Sequence, residues 1–270
     1  KLVANQQVLV SASQIDNSQG IIGSTQSNTD LNARIGSLNN TGGHLEAATT
    51  LALSAQGLNN TDGSIAASSV RLDSQLQALD NTRGQIVATG SKNAGTLDIQ
   101  SGELTNTAGL IEAKGELTTD THGQRLINTD AGASGGIVGH ASVDLTTGEL
   151  DNRAGYIGSI GSLTATGTTL RNGQGGQIVS NDVLTLSGTD LDNRGGQIQA
   201  IGNVGVTLSG EHNNAAGLIR SGKTLSVVAD VITNTDTLGA NQGLEGDSLS
   251  LTAARINNTR GALRANDTIT

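Results

Sequence analysis

Cysteine, proline, methionine, tryptophan and phenylalanine are all missing from the 270 residues, and Tyr156 is the sole aromatic side chain. Without cysteine no disulfide framework exists, so stability has to come from packing and hydrogen bonds. The same absence fits a reducing compartment, and equally a secreted chain that must stay unlinked during export. Without bulky side chains, the remaining Leu, Ile, Val and Ala cannot fill the centre of an ordinary globule, though they suffice for a narrow tube. Without proline, every backbone N–H is available to a ladder. Positive charge is scarce too: 15 Lys and Arg against 24 Asp and Glu give a net charge of -9. That balance argues against nucleic acid or an anionic membrane surface as partner, because both need a cationic patch. No apolar run is long enough to span a bilayer and none resembles a signal peptide, so this segment is not expected to insert into a membrane. Lys1 in place of an initiator Met suggests a segment of a longer polypeptide, one repeat region over 1–270 with no internal domain boundary.

What the chain does contain is one sentence written many times. Leu38-Asn39-Asn40-Thr41-Gly42-Gly43-His44-Leu45-Glu46-Ala47 returns as Leu58-Asn59-Asn60-Thr61-Asp62-Gly63-Ser64-Ile65-Ala66-Ala67, and the skeleton recurs at Leu79 to Ile86 and Leu191 to Ile198. Asparagine marks the register: Asn17, Asn40, Asn60, Asn81, Asn106, Asn128, Asn152, Asn172, Asn193, Asn214, Asn234 and Asn258 follow one another at 20 to 25 residues. A period of that size belongs to solenoids, whose repeats cannot bury their apolar face alone. Between the asparagines, period-2 alternation at Leu51, Leu53 and Ala55, and again at Val70, Leu72 and Ser74, predicts half-buried strands. A second strand should carry Leu58 with Asn60, and a third Ile65 with Ala67. Three short strands per coil, separated by Gly, Asn, Asp and Ser turns, predict an all-β parallel β-helix of about twelve coils, roughly 22 residues each.

The asparagines read best as a structural ladder in which each amide bonds the one above and below, turning the corner before glycine, rather than as ligands. Longer coils predict loops leaving the rod around Ser91 to Gly95, Lys114 to Gly123, Ala131 to Gly136 and Gly239 to Gly246. The triplets Asp151-Asn152-Arg153 and Asp192-Asn193-Arg194 read as ion pairs beside the corner. His44, His122, His140 and His212 share no repeat position; His212 stands where other coils place Leu or Ile, which predicts a satisfied interior histidine. Neither metal spacing nor cofactor motif is present, so no cofactor is expected. An enzyme acting on polysaccharides would need two placed carboxylates. Asp98 with Glu103 and Asp144 with Glu149 are the available pairs, but with Tyr156 as the single aromatic, no catalytic residue is assigned.

The motif Leu-(Asp/Asn)-Asn-x-x-Gly-x-(Ile/Leu)-x-Ala followed by Leu-x-Leu-x-Ala, clearest over Leu58 to Ala67, Leu191 to Ala200 and Ile256 to Ala265, resembles the filamentous-haemagglutinin repeats of two-partner secretion exoproteins. The resemblance covers practically the whole chain. It implies a right-handed β-helix folded outside a Gram-negative cell after export through an outer-membrane transporter barrel. It implies a secreted, cell-surface stalk that extends an adhesin or a contact-dependent growth-inhibition toxin, with the receptor bound by other regions of the parent. The alternative is an adhesive module binding a glycan or protein through protruding loops.

Overall fold

The computed structural model describes all 270 residues and winds them into an all-β parallel solenoid of about thirteen turns, about 21 residues per turn, with no helix. Each turn contributes three strands, and each strand pairs in parallel with its equivalents one turn before and one turn after. On the first side, Thr29–Ala33 pairs with Leu51 to Ala55, and Thr50 to Ser54 of the same strand pairs with Ser69 to Asp73. On the second, Leu38–Asn39 pairs with Leu58–Asn59 and that with Leu79–Asp80. On the third, Ser64 to Ala67 pairs with Gln85–Ala88 and that with Leu110–Ala113.

Alternation then decides what is buried. Leu51 and Leu53, Val70 and Leu72, and Leu97 and Ile99 point inward from the first side, while Ile65 with Ala67 and Ile86 with Ala88 do so from the third. The second side supplies one aliphatic per turn, among them Leu38, Leu58, Leu79, Leu104, Leu126, Leu150, Leu170 and Leu191. Together these side chains form one contiguous core of 50 buried residues running along the axis. Because like stacks on like, every inward row is a column of similar volumes, which is how a core without aromatics reaches close packing.

Two features differ from the sequence reading. Strands are not always separate: His44–Ala55 and Ser64–Asp73 run from the third side into the first, and Leu163–Arg171 and Leu184–Asp192 from the first into the second. At the first of these corners, Ala48-Thr49 replaces a glycine turn, so the chain stays extended and the ladder absorbs the bend as a register shift between Ala47 and Thr50. Nor is Lys114 to Gly123 a protruding loop. Glu116–Asp120 is a ladder strand paired with Leu97–Gln100 and Ser142–Thr146, with Leu117 and Thr119 buried. Threonine in an inward position disguised the alternation. Gly243 to Gly246 likewise opens the strand Gly243–Thr252, so that loop is confined to the residues before it. Ser91 to Ala94 and Gly132 to Ser134 do leave the rod as exposed turns.

Candidate functional site: the asparagine ladder

Every repeat asparagine lies at the end of the second strand with its side chain inward, and those from Asn40 to Asn234 are completely buried. Each Nδ2 donates to the Oδ1 of the asparagine one turn on: Asn40 to Asn60 at 2.7 Å, Asn106 to Asn128 at 2.8 Å, Asn172 to Asn193 at 2.9 Å. The chain of amides continues from Asn17 to Asn258 without a gap. The second Nδ2 hydrogen goes to a backbone carbonyl at the start of the next turn's third strand, as in Asn128 to Tyr156 O at 2.9 Å and Asn172 to Gln197 O at 3.0 Å. Both amide hydrogens are thus engaged, which buried amides require. Chemically the arrangement leaves no donor over for a ligand; it is cohesive, and the alignment of successive amide dipoles strengthens each bond.

The residues around each asparagine build the corner that places it. The preceding residue caps the turn: Asp80 Oδ1 accepts from Thr82 N at 2.8 Å, Asn59 Oδ1 from Thr61 N at 2.9 Å, and Asp192 Oδ1 from Arg194 N at 3.1 Å. The left-handed residue is not the asparagine. It falls two positions later, at Gln19, Gly42, Asp62, Arg83, Ala108, Asp130, Ala154, Gln174, Gly195, Ala216, Asp236 and Arg260, and only two of these are glycine. The glycine three positions after the asparagine has another purpose. A Cβ at Gly63, Gly84, Gly109, Gly196 or Gly217 would collide with the backbone carbonyl of the ladder asparagine one turn back. The repeat glycine therefore supplies room for stacking rather than a positive φ, except after Asn172, where Gly175 is left-handed and Gly176 makes the close approach to the Asn152 carbonyl. Two turns put a side chain there instead, Ala131 and Thr237, and these are the turns that carry extra residues immediately afterwards, Gly132 to Gly135 and Leu238 to Gln242.

Hydroxyls in register with the third-strand alanines also tie corners together, and period-2 reading passed over them. Ser180 Oγ donates to Gly161 O at 2.8 Å, and Ser221 Oγ to Gly202 O at 2.8 Å. Their signal is Ser alternating with Ala at one repeat position, as in Ala88, Ala113, Ser159, Ser180, Ala200 and Ser221.

The charged candidates are spread along the rod, most of them exposed or half-buried, with Asp151 buried. Asp151 and Asp192 form bidentate pairs with Arg153 and Arg194, and these hydrogen bonds hold both carboxyls below the ordinary carboxylate value. Asp98 lies on the strand Leu97–Gln100 and Glu103 in the bend that follows it, while Asp144 and Glu149 are placed on separate strands. Asp98 accepts from Gln100 Nε2 at 2.9 Å and Glu149 lies 3.2 Å from Arg171 Nε. Tyr156 lays its ring over Gly158; Leu110, Val138 and the turn Gly132 to Gly135 border the shallow depression beside it. His44 is exposed, and His140 Nε2 is 2.9 Å from Glu112 Oε1 with Lys114 alongside. His122 Nδ1 lies 3.1 Å from Ser101 O. His212 points inward, as its repeat position predicts, but it is not satisfied: neither ring nitrogen has a partner. No group of three or more His, Asp or Glu is arranged to hold a metal ion.

Against known protein families, the haemagglutinin repeat matches residues 1–35, 22–91, 67–132 and 121–188. No curated protein and no solved structure matches the chain.

Proposed function

Since the chain belongs to the haemagglutinin-repeat family, we propose that it is a stalk segment of a secreted, cell-surface exoprotein, a spacer whose mechanism is geometric. The observation that carries this reading is the unbroken amide ladder from Asn17 to Asn258, which couples each turn to both neighbours. Each turn adds about 4.8 Å of reach, and the parallel ladders supply a stiffness that a Gly/Ser linker of equal length lacks. Export through an outer-membrane transporter barrel suits a chain without cysteine that folds turn upon turn once outside. The receptor or toxin functions belong, in this reading, to other regions of the parent. The twelve asparagines act structurally, and the whole of 1–270 works as one undivided repeat segment without catalysis.

The test is made in the parent chain. Removing residues 44–135 takes out four complete register steps, from His44 to the equivalent Gly136. The expected result is a stalk shorter by about 19 Å with receptor binding by the remainder intact. Loss of binding on replacing the segment with unrelated turns of equal length would overturn the spacer. It would favour the adhesive alternative, for which the depression beside Tyr156 and the turn Gly132 to Gly135 speak. Deleting Gly132 to Ser134 would then abolish binding without changing length.

A further inference from the structure

The inward column of the second side reads Ile15, Leu38, Leu58, Leu79, Leu104, Leu126, Leu150, Leu170, Leu191, His212, Ile232 and, exposed in the last turn, Ile256. One imidazole interrupts eleven aliphatics. Its register partners are Leu191 and Ile232, its relative exposure is 0%, and both Nδ1 and Nε2 lack any hydrogen-bond partner. An apolar side chain of similar volume would satisfy this position, so the imidazole leaves two polar atoms desolvated without compensation.

We propose that the turn containing His212 is an acid-sensitive joint, at which the coils from Glu211 onward loosen from those before when the surroundings acidify. The charged groups on the strands packed around it all face outward. Asp190 and Asp192 lie on the strand before, Glu211 on its own strand and Asp230 just ahead of the strand after, and none of them reaches the ring. A proton arriving on the imidazole would therefore meet aliphatic walls and no counter-charge. Burial alone lowers the His212 pKa from 6.5 to about 4. With the folded value below the unfolded one, its contribution to stability is complete above about pH 6.5 and is lost as pH falls toward 4. Solenoid stability is a sum over neighbouring turns, so the penalty stays local and one weakened interface divides the rod.

Native-state amide exchange on the 270-residue chain, corrected for intrinsic rates, tests this by comparing Glu211–Asn213 and Val231–Thr233 with the remote turn at Leu79–Asp80. Between pH 7 and pH 4.5 the opening equilibrium at the His212 turn is expected to rise about sixtyfold beyond any rise at Leu79. His212→Leu should remove that excess and protect the turn at every pH. His212→Gln cannot titrate, so it should leave the turn weak but without the excess acid sensitivity. An unchanged pH dependence in either variant, or equal acid sensitivity along the whole rod, would overturn the joint.

Discussion

Replacing Asn152 by leucine is expected to destabilise the turns it joins by about 4 kcal/mol, although both side chains branch at Cγ. The side chain accepts from Asn128 Nδ2 at 2.7 Å and donates to Asn172 Oδ1 at 2.7 Å and Gln177 O at 3.0 Å. Leucine leaves all three of those groups buried and short of one partner, each at a cost of about 1–3 kcal/mol, and its own burial offsets only part. Asn39→Ala, at the half-buried residue before a ladder position, removes an acceptor for Thr41 N and Thr41 Oγ1. That change should cost about 1 kcal/mol, since Thr41 can turn to water. Urea unfolding monitored by amide protection at each substituted turn, around Asn128, Asn152 and Asn172 for the first and around Asn17, Asn40 and Asn60 for the second, reads both. A loss at Asn152 no larger than at Asn39 would show that the ladder is not what couples the turns.

Gly155→Ala is the second large effect, expected at about 3 kcal/mol for one added methyl group. The glycine has no positive φ, so its need is purely spatial: a Cβ would enter the Asn128 carbonyl oxygen and stand 2.5 Å from Asn152 Oδ1. Neither atom can retreat without breaking the ladder. Gly195→Ala reverses the circumstances, because φ is +65 and nothing lies within 4 Å of the added atom. Only the left-handed backbone is penalised there, about 1 kcal/mol. Thermal or urea denaturation of the two variants should therefore rank Gly155→Ala well below Gly195→Ala. The opposite order would mean that these glycines serve conformation rather than close approach.

That distinction marks where sequence reasoning stopped. Hydrophobic alternation and the asparagine period reported the solenoid and its three-sided turn because both follow from side-chain direction, which a strand fixes at every second residue. Leu51, Leu53 and Ile65 are oriented by alternation alone. The close approach of Gly63 to the Asn40 carbonyl could not, because it is a contact between turns and depends on how near one turn sits to the next. The left-handed residues were hidden for a related reason. Asp62, Arg83 and Ala108 adopt that conformation because the corner and the ladder impose it, against their own preference. Glu116–Asp120 reads as a loop in sequence because Thr119 fills an inward position with a hydroxyl. His212 was readable as inward from its repeat slot, but the emptiness of its surroundings was not, since that is a property of three turns together.

Whether these turns stack into a stiff spacer is measured most directly by pulsed electron spin resonance between labels at Val87 and Gln199. Both face outward on the third side, and five register steps connect them through Glu112, Val138, Gly158 and Val179. The chain has no cysteine of its own, so two introduced thiols carry the only labels. A stacked rod predicts a narrow distribution centred near 24 Å for residues 112 apart in sequence. A broad distribution, or a narrow one centred well away from that distance, would contradict the rod and with it the spacer.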